Sequence, residues 1–140
     1  MRKQLAALEE FHRAMGVFYA QKPTADIPED VRELRIRLLQ EELEEYIRAA
    51  RAGSLVDIAD ALTDLLYVLL GTFITHGLQD VAEALFDEVH RSNMTKLGPD
   101  GRPIYREDGK VLKPPTYRPP DLARILAHGT QTEPSQEELL

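Results

Sequence analysis

The sequence contains no cysteine, and this absence excludes disulfide bonds and thiol chemistry. It also lacks an excess of positive charge, because 24 acidic residues outnumber 17 lysines and arginines and the formal net charge is −7. Nucleic acids and anionic membrane surfaces bind basic protein faces, so we expect neither as a partner. Small ligands and other proteins are the expected partners.

Long apolar runs are missing as well. The N-terminus has no apolar stretch of the signal-peptide type, and the longest apolar run, residues 61–74, is shorter than a membrane span and is interrupted by Asp64. We therefore expect no membrane segment and a cytoplasmic location. With 140 residues, 43% of them hydrophobic, the chain is long enough for one domain with a real core.

Several sequence motifs of known chemistry are absent. There is no P-loop, no Gly-x-Gly-x-x-Gly and no nucleophile elbow. Asp87 and His90 have the spacing of a ligand pair in di-iron bundles, but the second Glu-x-x-His pair that such a site needs is missing. His12, on the first predicted helix, more often packs or caps in such a position than it catalyses. A di-iron oxidase is therefore disfavoured.

What the sequence does contain is helical periodicity. Apolar residues recur every three or four positions, and Gly53 supplies a stop between two of the periodic segments. The third segment is apolar nearly all round, so we expect it to be the most buried helix, with the fourth packed against it. Short connections between helices predict an all-α four-helix bundle. The predicted helices cover residues 2–19, 28–52, 54–77 and 78–94, and the apolar stripe of the first is Leu8, Phe11, Met15 and Phe18.

The composition changes after the predicted bundle, which we place at residues 1–97. Residues 98–128 form a basic, proline-rich extension, in which Asp108 and Gly109 are a two-residue hairpin signal and Asp121 starts a short helix. Residues 129–140 are polar and lack periodicity, which predicts a disordered tail.

Carboxylates follow helical spacing on the second and third predicted helices. Positions three or four apart share one face of a helix, and the short connection at residues 52–54 predicts that the two helices are antiparallel neighbours. The two sets of carboxylates then converge across one interface, where a shared cation such as Mg²⁺ would reconcile their charges. The residues are Glu41, Glu42 and Glu45 on the second helix and Asp57, Asp60 and Asp64 on the third.

Two of these carboxylates have an alternative interpretation. Asp64 lies among leucines, where an unpaired buried charge costs several kcal/mol, on the order expected for buried ions. A metal or catalytic role is one answer, and a buried ion pair with Arg35 or Arg37 is the other. Asp57 follows Ser54 at capping-box spacing, so it is as readily a helix cap as a metal ligand.

The end of the fourth predicted helix carries groups suited to phosphate and nucleotide binding. Arg91 and Lys96 can neutralise phosphate charge, while Asn93 can donate to and accept from a sugar or a base edge. The alternative is that these cations lie there because a helix C-terminus favours positive charge.

At residues 41–45, 60–68 and 88–96, with the segment around Asp108, Gly109 and Lys110, the sequence resembles the all-α nucleoside triphosphate pyrophosphatases. That group includes MazG, the dimeric dUTPases and phosphoribosyl-ATP pyrophosphohydrolase. The resemblance covers about the first hundred residues. It departs from the family at Ala61, where the second Glu-x-x-Asp motif has its glutamate; Asp60 lies one residue earlier.

The resemblance implies an all-α fold that forms a homodimer or a homotetramer, and an activity that splits a nucleoside triphosphate into a monophosphate and pyrophosphate. The substrate would be dUTP or another unwanted nucleotide. The alternative reading is a catalytically impaired nucleotide-binding or helical interaction module, which the alanine at position 61 favours; a purely structural bundle partner is a third possibility.

The resemblance also implies residue roles. Mg²⁺, with Mn²⁺ as a substitute, would be bound by acidic side chains of both motifs. The implied metal ligands are Glu42, Glu45, Asp60 and Asp64; the implied catalytic group is Glu41, Glu42, Glu45 and Asp64, with Glu41 as ligand or general base; and the implied substrate-binding residues are Arg91, Asn93 and Lys96.

Overall fold

The computed structural model describes residues 1–129, and every regular element in that range is a helix. This confirms the predicted all-α class. By its internal contacts the chain divides into two compact units, the first comprising Met1–Asp80 and the second beginning at Val81. Apart from its first residue, the predicted disordered tail lies outside the described residues. The helices are α1 (Arg2–Met15), α2 (Glu29–Ala52), α3 (Leu55–Thr75), α4 (Ala82–Met94) and α5 (Leu122–Gly129).

The first unit is organised around the pair α2 and α3, which are packed along their lengths. Gly53 ends α2 in the left-handed conformation, with φ 79°, and its N–H donates to the carbonyl of Ala49. The Ser54 hydroxyl then accepts a hydrogen bond from the Asp57 N–H at 3.3 Å and caps α3. Because only two residues join the helices, α2 and α3 are antiparallel neighbours, as the sequence predicts.

Helix α1 packs against α3 but is shorter than predicted. It ends at Met15 because Gly16 adopts φ 66°, and the chain then turns back so that the Ala20 N–H donates to the carbonyl of Ile74. The predicted apolar stripe is confirmed at Leu8 and wrong beyond it, since Phe11 is 39% exposed and Met15 65% exposed. The buried residues of α1 are Leu5, Leu8 and His12.

A buried polar contact links all three helices of the first unit. Arg35 of α2 is 6% exposed and donates to the Val68 carbonyl at 2.6 Å and to the Thr72 hydroxyl at 3.1 Å. A Cβ on Gly71 would lie 2.6 Å from Nη2 of Arg35 and 3.1 Å from Nε2 of His12. Gly71 is therefore the residue of α3 that leaves space for both side chains.

Helix α3 has more buried residues than any other helix of residues 1–129, as predicted, but most of its surface is exposed in the single chain. Five of its 21 residues are buried, and they lie toward its C-terminal half except for Ala61. Its length and composition would allow it to cross a membrane, but the core helix of a soluble protein passes the same test, and only 28% of its most apolar window is buried. Its exposed large apolar side chains are Leu55, Val56, Leu62, Leu66, Tyr67 and Leu69.

The second unit contains α4, an extended segment and α5. Helix α4 begins at Ala82, four residues later than predicted. The predicted hairpin around Gly109 (φ 84°) takes the form of one isolated antiparallel bridge, Tyr105 with Val111, rather than strands, and a similar bridge, Leu97 with Pro103, encloses the preceding turn. The predicted short helix is present as α5, and Asp121 caps it, because its carboxylate accepts from the Arg124 N–H at 3.1 Å.

Candidate metal centre

Three carboxylates of the first unit meet where α2 faces α3. Glu42 and Glu45 are one turn apart on α2, and Asp64 approaches them from the antiparallel helix. One oxygen from each side chain lies within 4.8 Å of the corresponding oxygen of the other two. The sequence predicted all three residues as ligands, and the structure brings them together.

Glu42 is the least exposed member of this cluster. Its Oε2 is buried and has no hydrogen-bond partner among residues 1–129, which is costly for an ionised oxygen. Burial raises the pKa of Glu42 above its ordinary value of 4.5, and the nearby charges of Glu45 and Asp64, followed by those of Glu41 and Asp60, raise it further. Without a counter-ion, the folded chain therefore disfavours the ionised form of Glu42.

A divalent cation fits this arrangement. Hard cations prefer carboxylate oxygens, and a cation would satisfy the unpartnered Oε2 of Glu42 while screening the three like charges from one another. Glu45 and Asp64 are exposed, so the open side of the cluster leaves room for ligands other than protein, such as water or phosphate oxygens. The donor set fits Mg²⁺ and Mn²⁺.

Asp64 differs from its prediction in one respect. It is exposed in the single chain and is not surrounded by buried leucines. Its predicted alternative partner, Arg35, is bonded to Val68 and Thr72 instead, and among the described residues no cation lies within ion-pair distance of Asp64. The ion-pair alternative with Arg35 or Arg37 is therefore wrong.

Two other predicted residues, Glu41 and Asp60, lie outside the three-carboxylate cluster, although both act on Glu42 electrostatically. Asp60 is exposed and faces a cleft of about 370 Å³, whereas the neighbouring Ala61 is 4% exposed and forms part of the cleft floor. Asp60 as the ligand in place of Ala61 stays a prediction, since the structure leaves it outside the cluster but close enough to act on Glu42. The cleft is lined by Glu45, Arg48, Ala49, Ala52, Asp57, Asp60 and Ala61.

Sequence reasoning missed Arg48. It lies three residues after Glu45 and therefore on the same face of α2, which is the signal that could have identified it. Asp57 is not itself the cap of α3, because the Ser54 hydroxyl caps the helix by accepting from the Asp57 N–H, and Asp57 lies outside the three-carboxylate cluster although it lines the cleft.

The match to a known family agrees with this geometry. The family model of phosphoribosyl-ATP pyrophosphohydrolase matches residues 8–93, which is more than half of the chain. The chain belongs to this family. No curated protein matches the chain.

The phosphoribosyl-ATP pyrophosphohydrolase family consists of hydrolases that act on a pyrophosphate bond and typically depend on a divalent metal. The matched range contains all three carboxylates of the cluster, and membership thus supports both a hydrolase function and a metal at this site. It also confirms the resemblance to the all-α nucleoside triphosphate pyrophosphatases.

The predicted substrate-binding residues belong to the second unit. The Arg91 guanidinium is already engaged, because it donates to both carboxylate oxygens of Glu88 at 2.7 and 2.9 Å. Asn93 is exposed at the end of α4. The Lys96 ammonium lies 6.0 Å from the centroid of the Tyr117 ring.

Glu88 is a structural residue that the sequence did not identify. It is 6% exposed, and besides Arg91 it accepts from the Asp121 N–H at 2.8 Å and lies 3.7 Å from Arg124. These hydrogen bonds, chiefly that of Arg91, lower the pKa of Glu88 to about 2. Glu88 thereby fastens the start of α5 to α4.

Proposed function

We propose that the chain is a Mg²⁺-dependent nucleoside triphosphate pyrophosphohydrolase, which cleaves between the α and β phosphates to give a monophosphate and pyrophosphate. The observation that carries the proposal is the cluster of Glu42, Glu45 and Asp64 within 4.8 Å, with its buried, unpartnered Glu42 oxygen. Family membership supports a hydrolase acting on a pyrophosphate bond.

Glu42, Glu45 and Asp64 would hold the cation. When bound, Mg²⁺ would withdraw charge from the phosphates and lower the pKa of a water molecule. Glu41 adjoins Glu42 and is exposed, so it can accept the proton as that water attacks the α phosphorus. The new water oxygen–phosphorus bond forms as the bond from the α phosphorus to the bridging oxygen breaks, and pyrophosphate leaves with that oxygen.

On the substrate side, Lys96 and Asn93 are the proposed contacts, because no described carboxylate pairs with the Lys96 ammonium and the Asn93 amide is exposed. Arg91 is a weaker candidate for a substrate contact, since its guanidinium already donates to Glu88. The proposed substrates are dUTP and non-canonical nucleotides, and phosphoribosyl-ATP joins them because it gives the family its name.

A homodimer is part of the proposal, with a homotetramer as the larger alternative. Leu62, Leu66 and Leu69 share one face of α3 and are 46%, 50% and 40% exposed, an apolar surface that a second copy would cover. Sedimentation equilibrium should show a dimer or tetramer, and Leu66→Glu should shift it toward monomer. A wild-type monomer at micromolar concentration would overturn this part. A small soluble enzyme acting on nucleotides is expected in the cytoplasm.

A second candidate function is a nucleotide-binding or helical interaction module with an impaired metal site. One observation favours it: Ala61 supplies no carboxylate, and Asp60 is not among the three carboxylates whose oxygens lie within 4.8 Å of one another. Such a module binds metal and nucleotide without turnover.

The deciding experiment measures pyrophosphate and orthophosphate release from dUTP, the common nucleotides, oxidised nucleotides and phosphoribosyl-ATP, with Mg²⁺, with Mn²⁺ and with chelator. We expect metal-dependent release of pyrophosphate that Glu45→Gln and Asp64→Asn abolish. Glu44→Gln is the matched control, because Glu44 is an exposed neighbour on α2 outside the cluster.

Each other outcome has a meaning. Thermal stabilisation by Mg²⁺ with nucleotide, but no product from any substrate, would establish the binding module. Neither stabilisation nor product would leave a purely structural bundle. Release that Asp64→Asn does not reduce would show that the reaction does not use this cluster.

A further inference from the structure

Arg48 is a cation in the cleft beside the metal centre. The cleft of about 370 Å³ lies between the C-terminal half of α2 and the N-terminal half of α3, and Glu45 belongs both to its wall and to the carboxylate cluster. Arg48 is the one basic residue among those that line it. A ligand held at the cluster is therefore next to Arg48.

The Arg48 guanidinium takes part in no ion pair among residues 1–129. Its side chain is exposed, and no carboxylate of residues 1–129 lies within 4.0 Å of its guanidinium, although Glu45, Asp57 and Asp60 line the same cleft. A guanidinium has five N–H donors in a planar fork, which matches the oxygens of a phosphate group. Those donors are available to a ligand.

The short distance from Glu45 to Arg48 along α2 favours a contact of Arg48 with the phosphates over one with a more distant part of the substrate. Arg48 is three residues after Glu45, so its Cα lies about 4.5 Å further along the helix axis at 1.5 Å per residue. The α phosphate of a substrate is held at the cluster in the proposed reaction. The sugar adjoins it on one side and the β phosphate on the other, and a guanidinium favours the charged side, where the β and γ phosphates form the leaving pyrophosphate.

We propose that Arg48 binds the β and γ phosphates of the substrate and, after cleavage, the pyrophosphate product. This inference rests on the proposed function for the position of the α phosphate. Three carboxylates surround Arg48, so bare pyrophosphate is repelled and the anion enters together with Mg²⁺. Arg48 then makes charge-assisted hydrogen bonds to phosphate oxygens that the cation leaves free.

Equilibrium binding of inorganic pyrophosphate, measured by calorimetry with Mg²⁺, tests the proposal without requiring turnover. Arg48→Ala should weaken binding of magnesium pyrophosphate by about 10- to 100-fold, the range for a hydrogen bond to a charged group. Arg48→Lys should recover part of the loss. Binding of Mg²⁺ alone and of a nucleoside monophosphate with Mg²⁺ should change less than about twofold, because neither reaches Arg48.

Arg51→Ala is the matched control, since it removes the same charge from an exposed position on α2 that does not line the cleft. Far-UV circular dichroism confirms folding of each variant. Unchanged pyrophosphate binding in Arg48→Ala, an equal loss in Arg51→Ala, or no binding by the wild type would overturn the proposal. If pyrophosphate binding depends on Arg48 but no nucleotide is hydrolysed, the proposed function fails while the pyrophosphate site stands.

Discussion

Replacing Glu42 by glutamine should make the metal-free protein more stable and, at the same time, remove its stabilisation by Mg²⁺. Glutamine keeps the shape of the side chain but removes its charge. In the wild type that charge sits on a buried, unpartnered oxygen beside two other carboxylates. Stability and metal binding therefore change in opposite directions, which is not expected of an ordinary buried residue.

The separation of the carboxylates sets the magnitude. At 4.8 Å, two unit charges repel by about 0.9 kcal/mol in water and by about 3.5 kcal/mol at an effective dielectric constant of 20. Glu45 and Asp64 are exposed, so solvent screens each pair and the lower part of that range applies. Because Glu42→Gln removes the repulsion from both Glu45 and Asp64, it should raise the free energy of unfolding of the metal-free protein by about 2 kcal/mol.

Urea unfolding with chelator and with Mg²⁺ measures both effects. At a Mg²⁺ concentration 100 times its dissociation constant, the wild type should gain about 2.7 kcal/mol, and Glu42→Gln should gain much less. Glu44→Gln, the exposed control, should behave like the wild type. A metal-free Glu42→Gln protein less stable than the wild type, or one that Mg²⁺ stabilises equally, would refute the reasoning.

The pH dependence has a definite sign. The pKa of Glu42 is raised in the folded state by burial first and by neighbouring charges second, so the folded state binds the proton more readily than the unfolded state does. The Glu42 charge destabilises the metal-free wild type fully above the raised pKa, and this destabilisation decreases as pH falls toward 4.5. The advantage of Glu42→Gln should therefore shrink over that window. Mg²⁺ affinity should fall over the same window, because a ligand must be deprotonated.

Three further predictions concern the fold. Gly71→Ala should destabilise the chain by about 0.5–2 kcal/mol in urea unfolding, because the new Cβ lies 2.6 Å from Nη2 of Arg35 and disrupts a charged hydrogen bond worth about 1.5–3 kcal/mol, against a helix-propensity gain of about 1 kcal/mol. Burial lowers the pKa of His12 below 6.5, so its contribution should be full above pH 6.5 and decline as pH falls toward the lowered value, a decline that unfolding of His12→Gln should lack. Glu88→Gln should loosen the attachment of α5 and speed proteolytic cleavage near Asp121, at every pH above about 4.5.

Each of these has its own contrary result. A Gly71→Ala protein as stable as the wild type would show that Arg35 moves aside without cost. An unchanged pH profile in His12→Gln would remove His12 as the source of the decline. Asp87→Asn is the control for Glu88, since Asp87 is its exposed neighbour on α4, and equal cleavage of the two variants would contradict a specific attachment by Glu88.

The sequence predicted the connection between α2 and α3 well. Gly53 and Ser54 determine it through a left-handed glycine and a side-chain cap, both of which depend on residue type. The start of α4 and the end of α1 were misplaced. Gly16 ends α1 in the left-handed conformation as Gly53 ends α2, but apolar periodicity continues past Gly16 and extended the predicted helix to Tyr19.

Burial was harder to predict than helix position. A continuous apolar stretch indicated a central helix, yet α3 exposes Leu66 and Asp64 in the single chain. Arg35, a charged residue, is buried instead, because the carbonyl of Val68 and the hydroxyl of Thr72 accept its hydrogen bonds. Composition reports how apolar a segment is but does not show what covers it.

By itself the sequence determined the all-α class, the antiparallel pairing of α2 and α3 and the convergence of Glu42, Glu45 and Asp64, since helical spacing and a two-residue connection leave little freedom. Only the tertiary structure decided which oxygen is buried without a partner among residues 1–129, that Asp60 lies outside the cluster, and that Arg48 lines the adjoining cleft with no ion-pair partner in that range. Those facts depend on the rotation of α2 against α3 and on side-chain contacts between them, which the spacing along either helix does not specify.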